Sequence, residues 1–552
     1  MAALNPAGKI RQGLGLLLLG VIPLSGAAPD DLAARVVIFA NSREAESVAL
    51  ARFYAAQRGI PPDNIVALPL PEAEGISWRQ FVDEVYQPLQ DELYHRGWIE
   101  GEASNLRDRV GRRRYAPTGH RLSYLVVCRG VPLRIYNDPT LIGEGPAKNY
   151  PRQLKKNEAA VDSELSLMAQ GDYEITGYVP NPLFSNERPS ALELGTVIKV
   201  SRLDGPTDES ARRLVTSALA GERQGLVGRY YVDFRGPHPD GDRWLESTRA
   251  QLVALGFDGE VERTRATFAA DARFDAPALY FGWYADNLNG PFATAAFAFP
   301  PGAVALHIHS FSARTLRSGS VGWCGPLVAR GVTATVGNVF EPYLQLTHRP
   351  DLLLRALARG ETFGDAVFYA LPALSWESIA LGDPLYRPFK VSLAEQEAGT
   401  IRLPLTLAPY VAIRRAGLLI RQSRPTEARA VLAEELKREP TLAGALSLAK
   451  LEREANDGMA VDRALGWVGS AQDFPPAEWP LAREAARLLV AQGSRPLALR
   501  IYSQLVRVEA PAAGAHLAVL AEAKEVADAG GDVQLAAEFA RQLAALTPPA
   551  AK

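Results

Sequence analysis

Between about residues 35 and 393, short apolar runs rich in β-branched residues alternate with segments whose apolar positions recur at helical spacing. The runs 35–40, 64–69, 123–128, 196–201, 227–232, 278–283, 303–309 and 333–336 predict strands. Helices are expected over 42–58, 78–97, 209–221, 244–255, 325–330, 352–358 and 363–371. Strands apolar on both faces suit a parallel sheet covered by helices. Repeated strand–helix units predict a doubly wound, mostly parallel α/β domain over 28–395. Segment 135–195 breaks the alternation, being polar and irregular, and reads as an insertion.

A second regime follows. Over 405–552 strands vanish, and Ala, Leu, Arg and Glu dominate. Ala416, Ala428, Leu432 and Pro440 follow the small, small, bulky, Pro rhythm of a tetratricopeptide repeat; Ala486, Ala498 and Tyr502 repeat it, and Ala536 with Pro548 echoes it. An all-α, tetratricopeptide-like domain is expected, with a generic helical bundle as the alternative. Its expected role is contact with a protein partner.

The chain opens with Lys9 and Arg11, an apolar Leu-rich stretch over 13–24, and Ser25-Gly26-Ala27. This is the layout of a secretory signal peptide, 1–27, cut after Ala27. An uncleaved anchor is the alternative, although the stretch is short against the about 20 residues of a membrane span. The mature chain is expected to be exported, periplasmic or extracellular, with no transmembrane segment. Lys and Arg number 60 against 62 Asp and Glu, a net charge of −2, so no field attracts nucleic acid. Arg112, Arg113 and Arg114 read as a solvated loop. Two cysteines, Cys128 and Cys324, exclude a disulfide scaffold; two buried free thiols are expected, with a pair as the alternative. No Gly-rich phosphate loop is visible, and no cofactor is expected.

The strand over 303–309 carries His307, His309, Ser310 and Ser312 towards its carboxyl end, where open α/β sheets bind ligands. His309 and Ser310 are the candidate catalytic residues. As strand neighbours they start on opposite faces, so a Ser310 nucleophile needs a base from elsewhere, His348 or His238. His307 and His309 have a zinc-ligand spacing, with Asp286 or Glu341 as a third ligand. Otherwise His307 is a satisfied core histidine. Asp204, Asp233, Trp283, Tyr284, Asp286, Glu341 and Asp383 are expected to line the binding site, with capping of turns as the alternative for Asp204 and Asp233. Asp162 and Glu164 either reach the site through the insertion or are solvated. Cys324 at a helix start has the position of an activated thiol, set against plain packing on the sheet. The aromatics Tyr280, Trp283, Tyr284, Phe292, Tyr343 and Trp376 near strand ends suit a sugar or an extended peptide, or ordinary packing.

Further pieces carry two resemblances. Val200 to Asp204, Tyr230 to Asp233, Arg330 to Gly337 and Leu381 to Tyr386 follow one another in an order that resembles the gingipain-type cysteine peptidases. That resemblance implies a caspase-like fold over about 35–388. It also implies a His-Gly pair where this chain has Trp283-Tyr284, and a Cys near His309-Ser310. Both are missing, so cysteine-peptidase activity is not expected. Arg129 to Arg134, Ala160 to Leu165, Arg202 to Pro206, Tyr280 to Tyr284, His307 to Ser312, Asn338 to Tyr343 and Gly382 to Phe389 resemble an uncharacterised exported bacterial family that accompanies exosortase (PEP-CTERM) sorting and exopolysaccharide systems. The resulting expectation is a caspase-like scaffold or binding protein with a peptide or glycan ligand. The alternatives are a hydrolase centred on His309 and Ser310, or a metal-dependent hydrolase using His307 and His309.

Overall fold

The computed structural model describes residues 31–142, 150–294, 297–471, 474–512 and 514–546. The leader expected over 1–27, together with Pro548, lies outside the described residues. The main sheet has ten strands: β1 Val36–Asn41, β2 Ile65–Leu68, β3 Tyr124–Cys128, β4 Val200–Leu203, β5 Arg229–Asp233, β6 Gly259–Glu262, β7 Pro277–Gly282, β8 Val304–His307, β9 Ala334–Asn338 and β10 Ser378–Gly382. Their order is β6-β5-β7-β8-β9-β10-β4-β3-β1-β2. Every neighbouring pair is parallel except β9 and β10, which run antiparallel with Ala334 opposite Gly382 and Asn338 opposite Ser378. Two parallel halves are therefore joined back to front. The carboxyl ends of β5, β7, β8 and β9 lie at one end of the sheet, and those of β10, β4, β3 and β1 at the other.

Burial explains the strands. All of Tyr124, Leu125, Val126, Val127 and Cys128 are fully buried, as expected when helices cover both faces of a sheet. Those helices are α1 Ala45–Arg58, α2 Asp208–Gln224, α3 Pro239–Ala254, α4 Cys324–Ala329, α5 Pro350–Ala358 and α6 Phe363–Ala370. Gly59 stops α1: it adopts φ +66° and returns its N–H to Ala55 O.

The sequence pattern misses β6, β10 and a hairpin of Ile99–Arg107 with Arg113–His120. Strand β6 reads Gly-Glu-Val-Glu and lies at the sheet edge, where one half-exposed strand needs no apolar run. The predicted strand over 196–201 starts late, because Thr196 ends a short helix, Ala191–Thr196. The insertion is not a surface appendage. Its short helix Val161–Leu165 is wholly buried, and Ala159–Ala160 pairs with Arg134–Ile135. Arg112 also departs from expectation: it is buried, with Nε 2.7 Å from Asp108 Oδ2 and its guanidinium over the Tyr173 ring.

The C-terminal region is helical, as expected. Helices α7 Pro409–Arg421, α8 Pro425–Arg438, α9 Leu442–Glu454, α10 Gly458–Leu465, α11 Trp479–Gln492, α12 Arg495–Leu505, α13 Ala515–Gly530 and α14 Val533–Leu546 pair in sequence and stack. The first helices of the leading three pairs, α7, α9 and α11, face the α/β core. Tyr410 on α7 donates to Asp275 at 2.5 Å, Arg414 donates to Leu255 O at 3.0 Å, and α11 pairs Arg483 with Asp271 and Glu484 with Arg273. That packing occupies, within the chain itself, one face of the region expected to hold a partner. No described helix is long and apolar enough to cross a membrane.

Candidate functional site

Strand β8 ends at His307, two residues earlier than the hydropathy pattern suggests. His307 is buried with its ring stacked 3.5 Å from Trp323. Its Nε2 accepts the Ala285 N–H at 3.1 Å, and its Nδ1 lies 2.8 Å from the Tyr280 hydroxyl. A backbone N–H only donates, so Nδ1 carries the ring proton and gives it to the Tyr280 oxygen. Tyr280 in turn donates to Asp233 Oδ2 at 2.8 Å. Burial, with His309 nearby, drives the His307 pKa well below the usual histidine range. Burial pushes the Asp233 carboxyl up to about 7, against the hydrogen bonds from Tyr280 and the Phe268 N–H. Asp233, Tyr280 and His307 thus form a closed relay inside the sheet.

This relay corrects two expectations. Asp233 caps no turn and lines no open cleft. His307 has spent both ring nitrogens, so the metal-dependent alternative loses its first ligand. Among the described residues no cluster of three or more His, Cys, Asp and Glu is placed to hold a metal.

Beyond β8 the chain turns outwards. His309 is 8% exposed, its Nδ1 2.5 Å from the Ser310 carbonyl oxygen and its Nε2 2.9 Å from Asp286 Oδ1. The Tyr284 ring lies against it, tilted by 43° with the ring centres 4.3 Å apart. Burial, Glu341 and Asp286 together raise the Tyr284 pKa. Five of the expected residues, Tyr284, Asp286, His309, Ser310 and Glu341, therefore meet at the carboxyl ends of β7, β8 and β9. They do not meet as a base and a nucleophile. His309 addresses the backbone of Ser310, and among the described residues no histidine hydrogen-bonds the Ser310 hydroxyl. His348 is sealed in the core, where burial lowers its pKa to about 3, and His238 sits exposed at the start of α3.

Three expected lining residues go elsewhere. Trp283 is buried against Gly236 and Gly241, which leave no room for a Cβ, and donates Nε1 to Asp242 at 2.8 Å. Asp204 is buried with Arg202 at 3.3 Å and with Arg317. Asp383 is buried with Arg58 at 2.5 Å and Tyr54 at 2.7 Å. Asp204 and Asp383 follow β4 and β10, so the antiparallel junction puts them at the far end of the sheet. The insertion carboxylates are likewise structural: Asp162 pairs with Arg202 at 2.5 Å, and Glu164 accepts from Tyr173 at 2.7 Å.

The end of the sheet that carries His309 also holds a group that the sequence reading overlooks. Glu377, just before β10, is fully buried. Lys156 from the insertion lies 2.7 Å from it and 2.7 Å from Glu158, between the rings of Tyr343 and Trp376. Lys156 also donates to the Glu341 carbonyl at 3.2 Å. Burial pushes the Glu377 carboxyl up to about 8, against the pull of Lys156. One signal was available: Glu377 is the single charged residue in the stretch 371–381.

Both cysteines are free and buried. Burial raises both thiols, that of Cys324 to about 12, and the Cys324 sulfur lies 3.5 Å from the Val336 carbonyl oxygen. The expected result with a thiol reagent at pH 8 is no labelling of the native chain and labelling of both cysteines after denaturation. Rapid native labelling of Cys324 would contradict this packing.

No family model matches the chain, and the search of curated proteins finds no match.

Proposed function

We propose that this chain is an exported binding protein, built on a caspase-like α/β core with a tetratricopeptide-like helical region. In this reading it has no cysteine-peptidase activity and works beside a surface-protein sorting or exopolysaccharide system of the exosortase type. One observation carries the non-catalytic part. Where a gingipain-type centre would place a base and a thiol, Tyr284 lies against His309 and Ser310, and both thiols of the chain are buried elsewhere. Nucleophilic catalysis needs a nucleophile and a base within hydrogen-bond reach of each other. Here His309 faces a carbonyl and a carboxylate instead. The leader pattern and the motif resemblances support the setting.

The test is covalent. A fluorophosphonate probe is expected to leave the full mature chain unlabelled. Stoichiometric labelling that disappears in Ser310→Ala would replace this reading with that of a serine hydrolase.

A further inference from the structure

Among the described residues of the α/β region, the exposed aromatics are Tyr94, Tyr136, Tyr284 and Phe311. Three of them belong to one strip. Tyr284 lies against the ring of His309, two residues before Phe311, with the ring centres 4.3 Å apart. Phe311 packs edge-on to Phe340 at 6.4 Å. Arg134 lies 5.6 Å from the Phe340 ring and 5.8 Å from that of Tyr136, and also donates to the Arg314 carbonyl. Arg314 in turn holds Asn287 at 2.8 Å, beside Asp286.

The strip is costly to build. Phe311 is 40% exposed and sits at φ +58°, a backbone region that a bulky residue occupies only at an energetic cost. The chain thus strains its backbone at a residue that still leaves two-fifths of its surface in water. A ligand that covers the ring would supply the return. Tyr136 and Tyr284, 49% and 47% exposed, extend the same surface.

We propose that this strip binds a neutral polysaccharide, a chain of pyranose units. This rests on the reading of the site as a binding face, and gives that face its ligand class. Pyranose rings present flat C–H faces that stack on aromatic rings and hydroxyl edges that bond carboxylates. Asp286, with its side chain 82% exposed, and Ser310 stand beside the rings to take such hydroxyls. The positive charges of Arg134 and Arg314 are matched by the negative charges of Asp286 and Glu341 at the same end of the sheet, so the strip presents no net positive field to an anionic polymer. An extended peptide added as a strand needs a free lateral sheet edge. The lateral edges are β2 and β6, whereas the strip lies at the ends of β8 and β9 in mid-sheet.

The experiment is affinity electrophoresis of the full mature chain through gels containing dextran, mannan, xyloglucan or mixed-linkage β-glucan. At least one gel is expected to retard the wild type. Tyr284→Ala and Phe311→Gly are each expected to weaken the retardation about tenfold or more. Phe311→Gly separates binding from folding: glycine accepts φ +58° freely, so its melting temperature should equal or exceed the wild type's while binding is lost. Three results would overturn the proposal: no retardation in any gel, equal retardation of wild type and variants, or capture of extended peptides in place of all four polymers. Cleavage of a retained polymer, lost in His309→Ala, would instead overturn the non-catalytic reading and leave polysaccharide recognition standing.

Discussion

Replacing Arg229 by Met is expected to destabilise the chain by about 3–5 kcal/mol, the usual cost of stripping one partner from a buried ion network. Arg229 is fully buried at the start of β5. Its guanidinium reaches Asp258 at 2.7 Å, Glu260 at 2.8 Å and Asp275 at 3.1 Å. Burial alone would raise the Asp275 pKa, yet Arg273, Arg229 and the Tyr410 hydroxyl hold it well below the usual carboxylate range. Without Arg229, the buried Asp275 keeps Arg273, Tyr410 and the Tyr231 hydroxyl at 3.3 Å, while Asp258, its side chain 39% exposed, falls back on water. Because Tyr410 belongs to α7, the loss should also loosen the helical region from the sheet. Calorimetry should show the lowered unfolding transition, and hydrogen exchange should rise at 271–276 and along α7. An unchanged transition would show that the network carries no net stability.

Glu377 gives the second large effect, and it depends on pH. Its folded pKa of about 8 stands above its ordinary value of 4.5, so the folded chain holds a proton that the unfolded chain has released. Stability from this group is greatest at low pH and is lost as the pH rises from about 4.5 to about 8. Asp233, raised from 3.8 to about 7, acts in the same direction. His348 opposes them: its pKa is lowered from 6.5 to about 3, so its contribution is present above pH 6.5 and is lost as the pH falls through that window. His307, lowered likewise, adds to that opposition. Above pH 6.5 the carboxyls therefore dominate. Glu377→Gln should gain on the wild type by about 2–3 kcal/mol between pH 6 and pH 8, at about 1.4 kcal/mol per proton per pH unit. Chemical denaturation at the two pH values measures the gap. A gap that does not widen would mean that Glu377 is ionised in the native chain.

The sequence made most of the strands legible because both faces of a central parallel strand are buried, and its hydropathy is then unbroken, as in Tyr124–Cys128. What the pattern could not carry was direction. Hydropathy is the same whichever way a strand runs, so nothing in Ser378–Gly382 announced that β10 pairs antiparallel to β9. That one reversal sends Asp204 and Asp383 away from His309. The cluster of Tyr284, Asp286, His309, Ser310 and Glu341 was legible because these residues follow neighbouring strands of one half. Lys156 was not, because its partner Glu377 lies 221 positions further along the chain and only tertiary packing joins them.

The central claim is that this end of the sheet binds without turning over a substrate. The most direct measurement is a hydrolase screen of the mature chain from Ala28 onwards, against peptide, ester and glycoside substrates, with His309→Ala and Ser310→Ala alongside. No turnover above background and no difference among the three proteins is expected. Activity in the wild type that both substitutions abolish would contradict it.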